Sequence, residues 1–419
     1  MPEGKQKRKL ILLANSFPYG NWEAYLESEV KYYDVFDEIH ICSLQIRKNH
    51  KNRVRELPSD KFKVFPVFYA HKLLYLICSV YAFFDVNFYK EIYKLIKLRK
   101  FSLSALVRLF VYISRAHLEA GKIKKYIKKQ GLNKDGSKGI IYSYRFEYQP
   151  YVGLLIKKLL PEYIMISRAH RYDLYEEANS SKYIPLRELL LKESEKVVLI
   201  SEDGYDYLSK KYPNYEDKMT ISRLGTVDHG VSSRSISEPL KIVTCSSVVP
   251  VKRLNLIVES LKLISDTEIE WTHYGDGILL EDIKSMAKQL PENIKCVFKG
   301  NVNNDVVLNE YLNNKPHLFL NVSSSEGVPV SIMEAMSFGI PCVATDVGGN
   351  REIVKDGKNG FLLNADFNVA KLAEIIKAFS VMDESDYQQL KDGARIEWDN
   401  SYNAEKNYPE FMELLKEYL

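Results

Sequence analysis

The stretch that decides the fold is residues 321–363, NVSSSEGVPVSIMEAMSFGIPCVATDVGGNREIVKDGKNGFLL. An apolar strand at 318–322 runs into a loop of small residues, and an apolar helix is predicted over 329–338. Gly339-Ile340-Pro341 ends this helix, and a β-branched strand follows at 341–345. Strand, loop, helix and strand form a βαβ unit. Ligands of such units bind at the carboxyl end of the strand, against the helix N-terminus.

Two carboxylates flank this turn: Glu326 in the loop and Glu334 in the helix, with seven residues between them. A helix N-terminus favours an anion such as phosphate. A carboxylate beside that anion would repel it, so we expect both glutamates to accept hydrogen bonds from hydroxyl groups. The combination predicts a site for a sugar nucleotide. A local interpretation of Glu334 also stands, because Ser331 and Glu334 have the spacing of a capping box.

The 419 residues, 46% of them hydrophobic and 27% charged, suffice for two soluble domains. Short apolar strands alternate with helical segments through both halves, which predicts an α/β fold with two doubly wound parallel-sheet domains facing a central cleft. A polar, serine-rich linker, GVSSRSISEP, covers 230–239. We therefore predict one domain over 1–232 and a second over 233–397. The remaining residues, 398–419, are predicted to form a C-terminal helix that packs back on the first domain.

The cysteines and the N-terminus predict a cytoplasmic chain. The five cysteines are odd in number and show no Cys-x-x-Cys spacing, which is typical of reduced thiols. The first ten residues, MPEGKQKRKL, are basic but lead directly into a strand-like run rather than a signal peptide.

Positive charge is concentrated in the first half. Residues 71–130 contain 13 Lys or Arg against 3 Asp or Glu, a local excess of +10, although the whole chain carries only +4. The longest apolar run, 73–84, is too short to span a bilayer. Two interpretations of the basic, aromatic helices at 72–130 are open. They rest on an anionic membrane surface, or they pack on the sheet with their lysines solvated. No nucleic acid is expected, because no recognised binding motif accompanies the charge.

Three further positions are candidates for a site. Lys252-Arg253 follow a strand at the start of a helix, where they are placed to pair with a diphosphate, although two solvated bases fit equally well. His170 follows the parallel strand predicted at 163–167, on the ligand edge of the sheet, but a lone histidine in a loop is more often structural. The spacing of Trp22, Leu26, Val30 and Tyr33 predicts the first helix over 22–33. Gly20 lies between the first strand and this helix, where glycine allows a close backbone approach to a ligand or simply ends a turn.

The sequence SEGVPVSIMEAMSFGIPCVATDVGGNREIV resembles the family 4 glycosyltransferases of the GT-B fold. The resemblance is strongest over 241–363 and looser in the first half. It implies catalytic roles for Glu326, which also binds the donor sugar's hydroxyls, and for His170. The resemblance also implies a set of donor-binding residues: Gly20, Lys252, Arg253, Gly300, Val302, Glu326, Gly327, Val328, Pro329 and Glu334. Among these, Glu334 would hold the ribose, Lys252 and Arg253 the diphosphate, and Gly300 and Val302 the base. Two positions depart from the family pattern: Ser247 replaces an arginine, and Gly20-Asn21 replaces Gly-Gly.

The resemblance implies a retaining transferase that moves a hexosyl unit from a nucleoside-diphosphate sugar, with UDP favoured and GDP-mannose next. The expected acceptor is a hydroxyl of a lipid-linked glycan in bacterial surface-polysaccharide synthesis, at the inner face of the cytoplasmic membrane. No metal is expected, and the chain contains no Asp-x-Asp. Alternatives are a soluble or protein acceptor, or a non-catalytic nucleotide-sugar-binding partner subunit.

Overall fold

The computed structural model describes residues 7–20, 22–67, 80–134, 136–179, 181–231 and 239–419. The chain divides into two compact units. One contains Met1–Ser222 together with Tyr408–Leu419, and the other contains Arg223–Asn407. Most of the predicted linker and the beginning of the predicted basic region, 72–79, lie outside the described residues.

The first unit is built on a parallel sheet of seven described strands in the order β3-β2-β1-β4-β5-β6-β7. The strands are β1 Arg8–Ala14, β2 Glu38–Ser43, β3 Phe62–Pro66, β4 Lys138–Ser143, β5 Tyr163–Ala169, β6 Lys196–Leu199 and β7 Met219–Ile221. Its helices are α1 Ala24–Glu29, α2 Val80–Phe83, α3 Val86–Lys97, α4 Leu103–Gln130, α5 Gln149–Lys157, α6 Arg171–Leu174, α7 Arg187–Glu193 and α8 Glu202–Lys211. Since β1 lies between β2 and β4, the strand order reverses at the boundary of β1 and β4.

The first helix is shorter than its pattern suggested. Helical spacing covers 22–33, but α1 ends at Glu29 and a 3-10 segment, Val30–Val35, replaces the rest, with Tyr33 outside helical geometry. This segment, VKYYDV, is mostly β-branched and aromatic residues, which lose side-chain freedom in an α-helix.

Both faces of the first sheet are buried, as a parallel sheet requires. Along β1, Ile11 and Leu13 belong to one apolar cluster, whereas Leu10 and Leu12 belong to another. Alternate residues of a strand point to opposite faces, so each cluster is the core between the sheet and one layer of helices.

The second unit has the same design. Its described strands form a parallel sheet in the order β10-β9-β8-β11-β12-β13. The strands are β8 Leu240–Cys245, β9 Ile269–Tyr274, β10 Ile294–Phe298, β11 Leu318–Asn321, β12 Cys342–Thr345 and β13 Gly360–Leu363. The helices are α9 Leu254–Leu261, α10 Leu280–Ala287, α11 Asn304–Asn313, α12 Val330–Ser337, α13 Asn350–Ile353, α14 Val369–Ser380 and α15 Glu384–Ser401. A last helix, α16 Ala404–Lys416, begins in the second unit and belongs to the first from Tyr408 onward. Two parallel α/β units were predicted, and this is confirmed.

The end of the chain completes the first unit. Phe411, of α16, packs in the cluster that covers β1. Its ring lies 4.2 Å from the guanidinium carbon of Arg168, which is fully buried and forms an ion pair with Glu29 at 3.7 Å. The hydroxyl of Tyr142 also joins the pair, accepting from Arg168 and donating to Glu29. The last helix therefore covers a buried polar cluster as well as apolar surface.

None of the helices in the described ranges is both long and apolar enough to cross a lipid bilayer.

Candidate functional site

The second sheet reverses its strand order between β8 and β11, so the loops that follow these strands lie side by side. The backbone N–H of Ser324 donates to the carbonyl of Val251 at 2.8 Å, and its hydroxyl reaches the same carbonyl at 3.3 Å. The small-residue loop after β11 therefore rests directly on the turn that carries Lys252 and Arg253.

Lys252 and Glu326 meet at this point. Lys252 Nζ donates to Glu326 Oε1 at 2.5 Å, and Nδ2 of Asn321 approaches the same oxygen at 3.4 Å. The side chain of Lys252 is 22% exposed and that of Glu326 is 10% exposed, so the pair lies at a shielded surface. An ammonium group has three N–H donors, so Lys252 retains donors for a second anion. Sequence reasoning missed Asn321, although it is a polar residue that ends a buried strand.

Arg253 has a different environment from its neighbour. Its guanidinium donates to the main-chain carbonyls of Val322 at 2.7 Å, Ser323 at 3.1 Å and Ala365 at 2.6 Å. Partial burial lowers its pKa. Two of its five N–H donors thus hold the loop after β11, and a third binds the segment after β13. The structure places Arg253 as a support of this loop and Lys252 as the base that faces Glu326.

The loop leads into α12 with a bare helix N-terminus. Pro329 is the N-cap residue, with an extended backbone, and no side chain caps the helix. Val328 and Pro329 are buried, whereas Gly327 is half-buried. The first amides of α12 lack intrahelical partners and carry the positive end of the helix dipole. They are suited to an anionic ligand, as the sequence predicted.

Gly348 and Gly349, which sequence reasoning did not select, pack against the backbone of the loop between β11 and α12. Gly348 has φ of +51°, and a β-carbon there would lie 2.1 Å from the carbonyl oxygen of Glu326. A β-carbon on Gly349 would lie 2.6 Å from the carbonyl oxygen of Gly327, to which its own N–H donates at 2.8 Å. The sequence signal for these two positions was the Gly-Gly pair after β12. Only the fold shows which backbone this pair contacts.

Glu334 lies one turn into α12. Its Oε1 accepts from Nδ2 of Asn304 at 2.9 Å, and burial raises its pKa to about 7. The helix begins at Val330, so Ser331 is inside it rather than at the N-cap, and the capping-box interpretation is wrong. Glu334 is a partly neutral carboxyl group near pH 7 whose bond to Asn304 leaves acceptor capacity for hydroxyl groups.

Cys245, at the end of β8, connects these side chains. Burial, and secondarily the charge of Glu334, raise the pKa of its thiol to about 12, while the charge of Lys252 opposes this shift. The charges of Glu334 and Lys252 thus both act on this thiol.

The ends of β8, β9 and β10 are tied together beside this site. Gly275 donates its N–H to the carbonyl of Gly300 at 2.8 Å. A β-carbon on Gly275 would lie 1.9 Å from the carbonyl of Ser246, so only glycine fits there. Gly300 has φ of +67° with no atom within 4 Å of a built β-carbon, and Val302 is half-buried. The turn predicted to meet a base is therefore open on one side.

His170 lies in the first unit, at the N-cap of α6 after β5. Its ring is 8% exposed, and neither ring nitrogen has a hydrogen-bond partner among the residues described. Nδ1 is 3.9 Å from Asp173 Oδ2, and burial lowers the pKa of His170 against the opposing effect of Asp173. The favoured ring is neutral, with one donor and one acceptor available to a ligand.

Gly20 also lies in the first unit, in a turn packed against protein. It has φ of +67°, and a β-carbon there would lie 2.3 Å from Nδ1 of His50. The amides that follow β1 are already used, because the Glu23 carboxylate accepts from Asn15 at 2.9 Å, Ser16 at 2.9 Å and Phe17 at 3.0 Å. Sequence reasoning missed Glu23. Gly20 serves a tight turn here, and the adjacent amides hold an anion that the chain itself supplies.

Comparison with known proteins identifies the second unit. Residues 231–396 match the family model described as Glycosyl transferases group 1. These residues are a group 1 glycosyltransferase domain. The loop from β11 to α12, with Lys252, Glu326 and Glu334, lies inside it.

Relatives of this glycosyltransferase domain are found among curated bacterial proteins. The GtfA subunit of a UDP-N-acetylglucosamine–peptide N-acetylglucosaminyltransferase from Streptococcus pneumoniae is 26% identical over 159 residues, 36% of this chain and 30% of that protein. Poly(glycerol-phosphate) alpha-glucosyltransferase of Bacillus subtilis is 30% identical over 167 residues, 38% and 23% of the two chains. The chain spans 30% to 63% of the lengths of the first curated relatives.

Structural similarity extends over both units. The crystal structure of Anabaena Alr3699/HepE in complex with UDP is similar to this chain, with a TM-score of 0.69 and 16% sequence identity. The similar region covers 98% of this chain and 100% of that chain. At this identity the likeness shows the fold, and it confirms the predicted GT-B class.

Proposed function

We propose that the protein is a retaining, metal-independent hexosyltransferase that uses a nucleoside-diphosphate sugar. The observation that carries the proposal is the pairing of Lys252 with Glu326 beside the uncapped N-terminus of α12. Cationic donors suited to a diphosphate and a carboxylate suited to hydroxyl groups then meet where the loops after β8 and β11 touch. Either feature alone is common, but together they match the two ends of an activated sugar.

The chemistry follows from where charge develops. When the bond between sugar and diphosphate breaks, negative charge accumulates on the leaving oxygens. Lys252 and the first amides of α12 can stabilise it without reorganisation, because Arg253 fixes the loop through the carbonyls of Val322 and Ser323. We propose that these groups take the role that a divalent cation has in other transferases.

We further propose that the acceptor hydroxyl attacks on the face that the diphosphate leaves, so the anomeric configuration is retained. Lys252 and Asn321 bind the Glu326 carboxylate, and this makes it a poor nucleophile for a covalent intermediate. We assign Glu326 and His170 to orienting the sugar. Glu334, with its raised pKa, is assigned to the ribose hydroxyls.

For the donor we favour UDP, with GDP-mannose next. The support is that Alr3699/HepE, with the same fold, was solved in complex with UDP-glucose. For the acceptor we propose a lipid-linked glycan in surface-polysaccharide synthesis, and for the location the inner face of the cytoplasmic membrane. A related protein named poly(glycerol-phosphate) alpha-glucosyltransferase supports a surface polymer as acceptor.

A protein acceptor is the second candidate. The similarity to the GtfA subunit of a peptide N-acetylglucosaminyltransferase favours it. The two candidates differ in the acceptor and share the donor site.

The decisive experiment is donor hydrolysis followed by mass spectrometry, with UDP- and GDP-hexoses and EDTA present. The wild type is compared with Glu326→Ala and with a control, Glu281→Ala, whose side chain is 83% exposed on α10. Hydrolysis of one donor that survives EDTA, persists in the control and falls at least about a hundredfold in Glu326→Ala would support the proposal. If no donor is hydrolysed or bound, the transferase assignment is wrong.

A further inference from the structure

The helices α2 to α4 of the first unit expose an unusual number of large apolar side chains. Thirteen of the 22 exposed large hydrophobic residues in the described part of the chain fall within residues 80–111. We call this set the apolar face: Val80, Tyr81, Phe83, Phe84, Val86, Tyr89, Tyr93, Ile96, Leu98, Phe101, Leu103, Val107 and Val111. Soluble proteins rarely leave so many neighbouring apolar side chains in water without a partner.

The apolar face follows helical periodicity. On α3, the exposed residues at 86, 89, 93 and 96 are spaced three, four and three apart, which places them on one stripe. On the first turns of α4, Leu103, Val107 and Val111 are spaced four apart and form a second stripe. The opposite side of each helix is buried, for example Leu95 of α3 and Leu109 of α4. Each helix therefore has one side in the core and one apolar side in solvent.

The turn between α2 and α3 is well fixed. Asp85 caps α3 by accepting from the N–H of Asn87 at 2.8 Å, and its other carboxylate oxygen lies 2.6 Å from Nε2 of His117. The ring of Phe83 packs at 5.2 Å from that of Phe110. These contacts fix the turn between α2 and α3 and the ring of Phe83, so the backbone that carries this part of the apolar face is held in place.

Positive charge borders the apolar face. Residues 80–111, which contain the apolar face, have 6 Lys or Arg against 2 Asp or Glu, a net +4. Lys90 and Lys97 lie three residues before and four residues after Tyr93, at the margin of its stripe. Both lysines, and Arg99, are exposed and have no ion-pair partner in the described part of the chain. Long basic side chains at such a margin can reach phosphate groups while the apolar stripe is buried.

We propose that the apolar face inserts into the interface of an anionic lipid bilayer, with α3 and the first turns of α4 lying along the membrane plane. The apolar face could be covered by a second copy of this chain or by a lipid bilayer, and its positive charge favours the bilayer. A second copy of this chain would bring the net +4 of residues 80–111 against the same charge, whereas anionic lipid headgroups attract it. Tyrosines such as Tyr89 and Tyr93 are favoured at the headgroup level. The inference rests on the proposed function for its purpose, because a lipid-linked acceptor lies in such a bilayer.

The test is flotation of the full-length protein with vesicles of phosphatidylcholine containing 30% phosphatidylserine, and with phosphatidylcholine vesicles alone. The variant Phe84→Ser/Leu103→Ser removes two apolar side chains that are 83% and 75% exposed. The matched control, Ile278→Ser/Val381→Ser, changes residues that are 80% and 84% exposed in the second unit. Circular dichroism checks that each variant is folded. A third variant, Lys90→Gln/Lys97→Gln, removes charge and leaves the apolar face intact.

We expect the wild type and the control to float with anionic vesicles alike. The apolar variant should bind at least about tenfold more weakly, and each lysine removed should weaken binding about fivefold at low salt. Failure of the wild type to float, equal loss in the control, or vesicle-independent dimerisation through the apolar face would each overturn the inference. Donor binding measured on the same samples reports on the transferase function separately.

Discussion

The glycines behind the loop allow a quantitative test of how the donor site is built. Gly348→Ala places a β-carbon 2.1 Å from the Glu326 carbonyl, so the loop must move by at least 0.9 Å to reach the 3.0 Å below which real contacts are almost never found. A displacement of about 1 Å can reduce catalysis roughly a hundredfold, or about 2.7 kcal/mol in activation free energy. Alanine with positive φ also destabilises the fold by about 1–2 kcal/mol.

Gly357 separates these two effects. It has φ of +69°, similar to the +51° of Gly348, but no atom lies within 4 Å of a built β-carbon. Gly357→Ala should therefore lose about 1–2 kcal/mol in urea unfolding, from its positive φ alone, and retain donor hydrolysis. Gly348→Ala should lose at least as much stability, and its donor hydrolysis should be about a hundredfold slower than that of Gly357→Ala. If the two variants hydrolyse donor within twofold of each other, the reasoning that Gly348 positions the loop is refuted.

Three further outcomes are expected. The pKa of Glu334 is raised to about 7, so UDP binding should strengthen as pH rises from 6 to 8, and the contribution of Glu334 to folding stability should decline as pH rises from 4.5 to about 7. Calorimetry of UDP binding should show no such pH dependence in Glu334→Gln. A wild-type affinity that does not change with pH would contradict this. Lys252→Gln should weaken UDP binding roughly 10- to 100-fold by calorimetry, through the lost charge-assisted bonds, and unchanged affinity would remove Lys252 from the site. Arg253→Lys should lower the free energy of unfolding in urea by about 2–4 kcal/mol, because a lysine cannot donate to three carbonyls in this geometry. The control Arg351→Lys, at an exposed ion pair with Asp346, should lower it by under about 1 kcal/mol. Equal losses would show that the three carbonyl bonds are unimportant.

The fold was predictable because it follows from local pattern. Short continuous apolar runs, such as residues 10–14 in β1 and 318–320 in β11, indicate strands buried on both faces. The helical pattern at 22–33 failed because side-chain spacing does not report propensity, and Val30–Val35 is poor in helix-forming residues. The residue pattern thus predicted whether a segment is a helix or a strand, whereas the residue at which α1 ends depended on helix propensity, a weaker local preference.

The candidate site could be predicted from the sequence only where two parallel strands end at the same edge of the sheet and so bring distant residues together. Lys252 and Glu326 are 74 positions apart, and each follows a parallel strand, so their meeting at one sheet edge could be anticipated. Nothing in the sequence showed that Arg253 turns to main-chain carbonyls while its neighbour faces the carboxylate. Glu23 was missed for a related reason: its three partners are backbone amides, which leave no sequence signature.

The position of Phe411 has a consequence for how the chain folds during synthesis. Phe411, Met412 and Leu415 complete a core that otherwise consists of residues before 200, and they cover the ion pair of Arg168 and Glu29. All of Arg223–Asn407 must be translated before these residues exist. At about 5–20 residues per second, the first sheet waits roughly 10–40 s with one face unfinished. Synthesis of the second unit therefore takes place while the first is still incomplete, and residues translated after it close both the core and the buried charge pair.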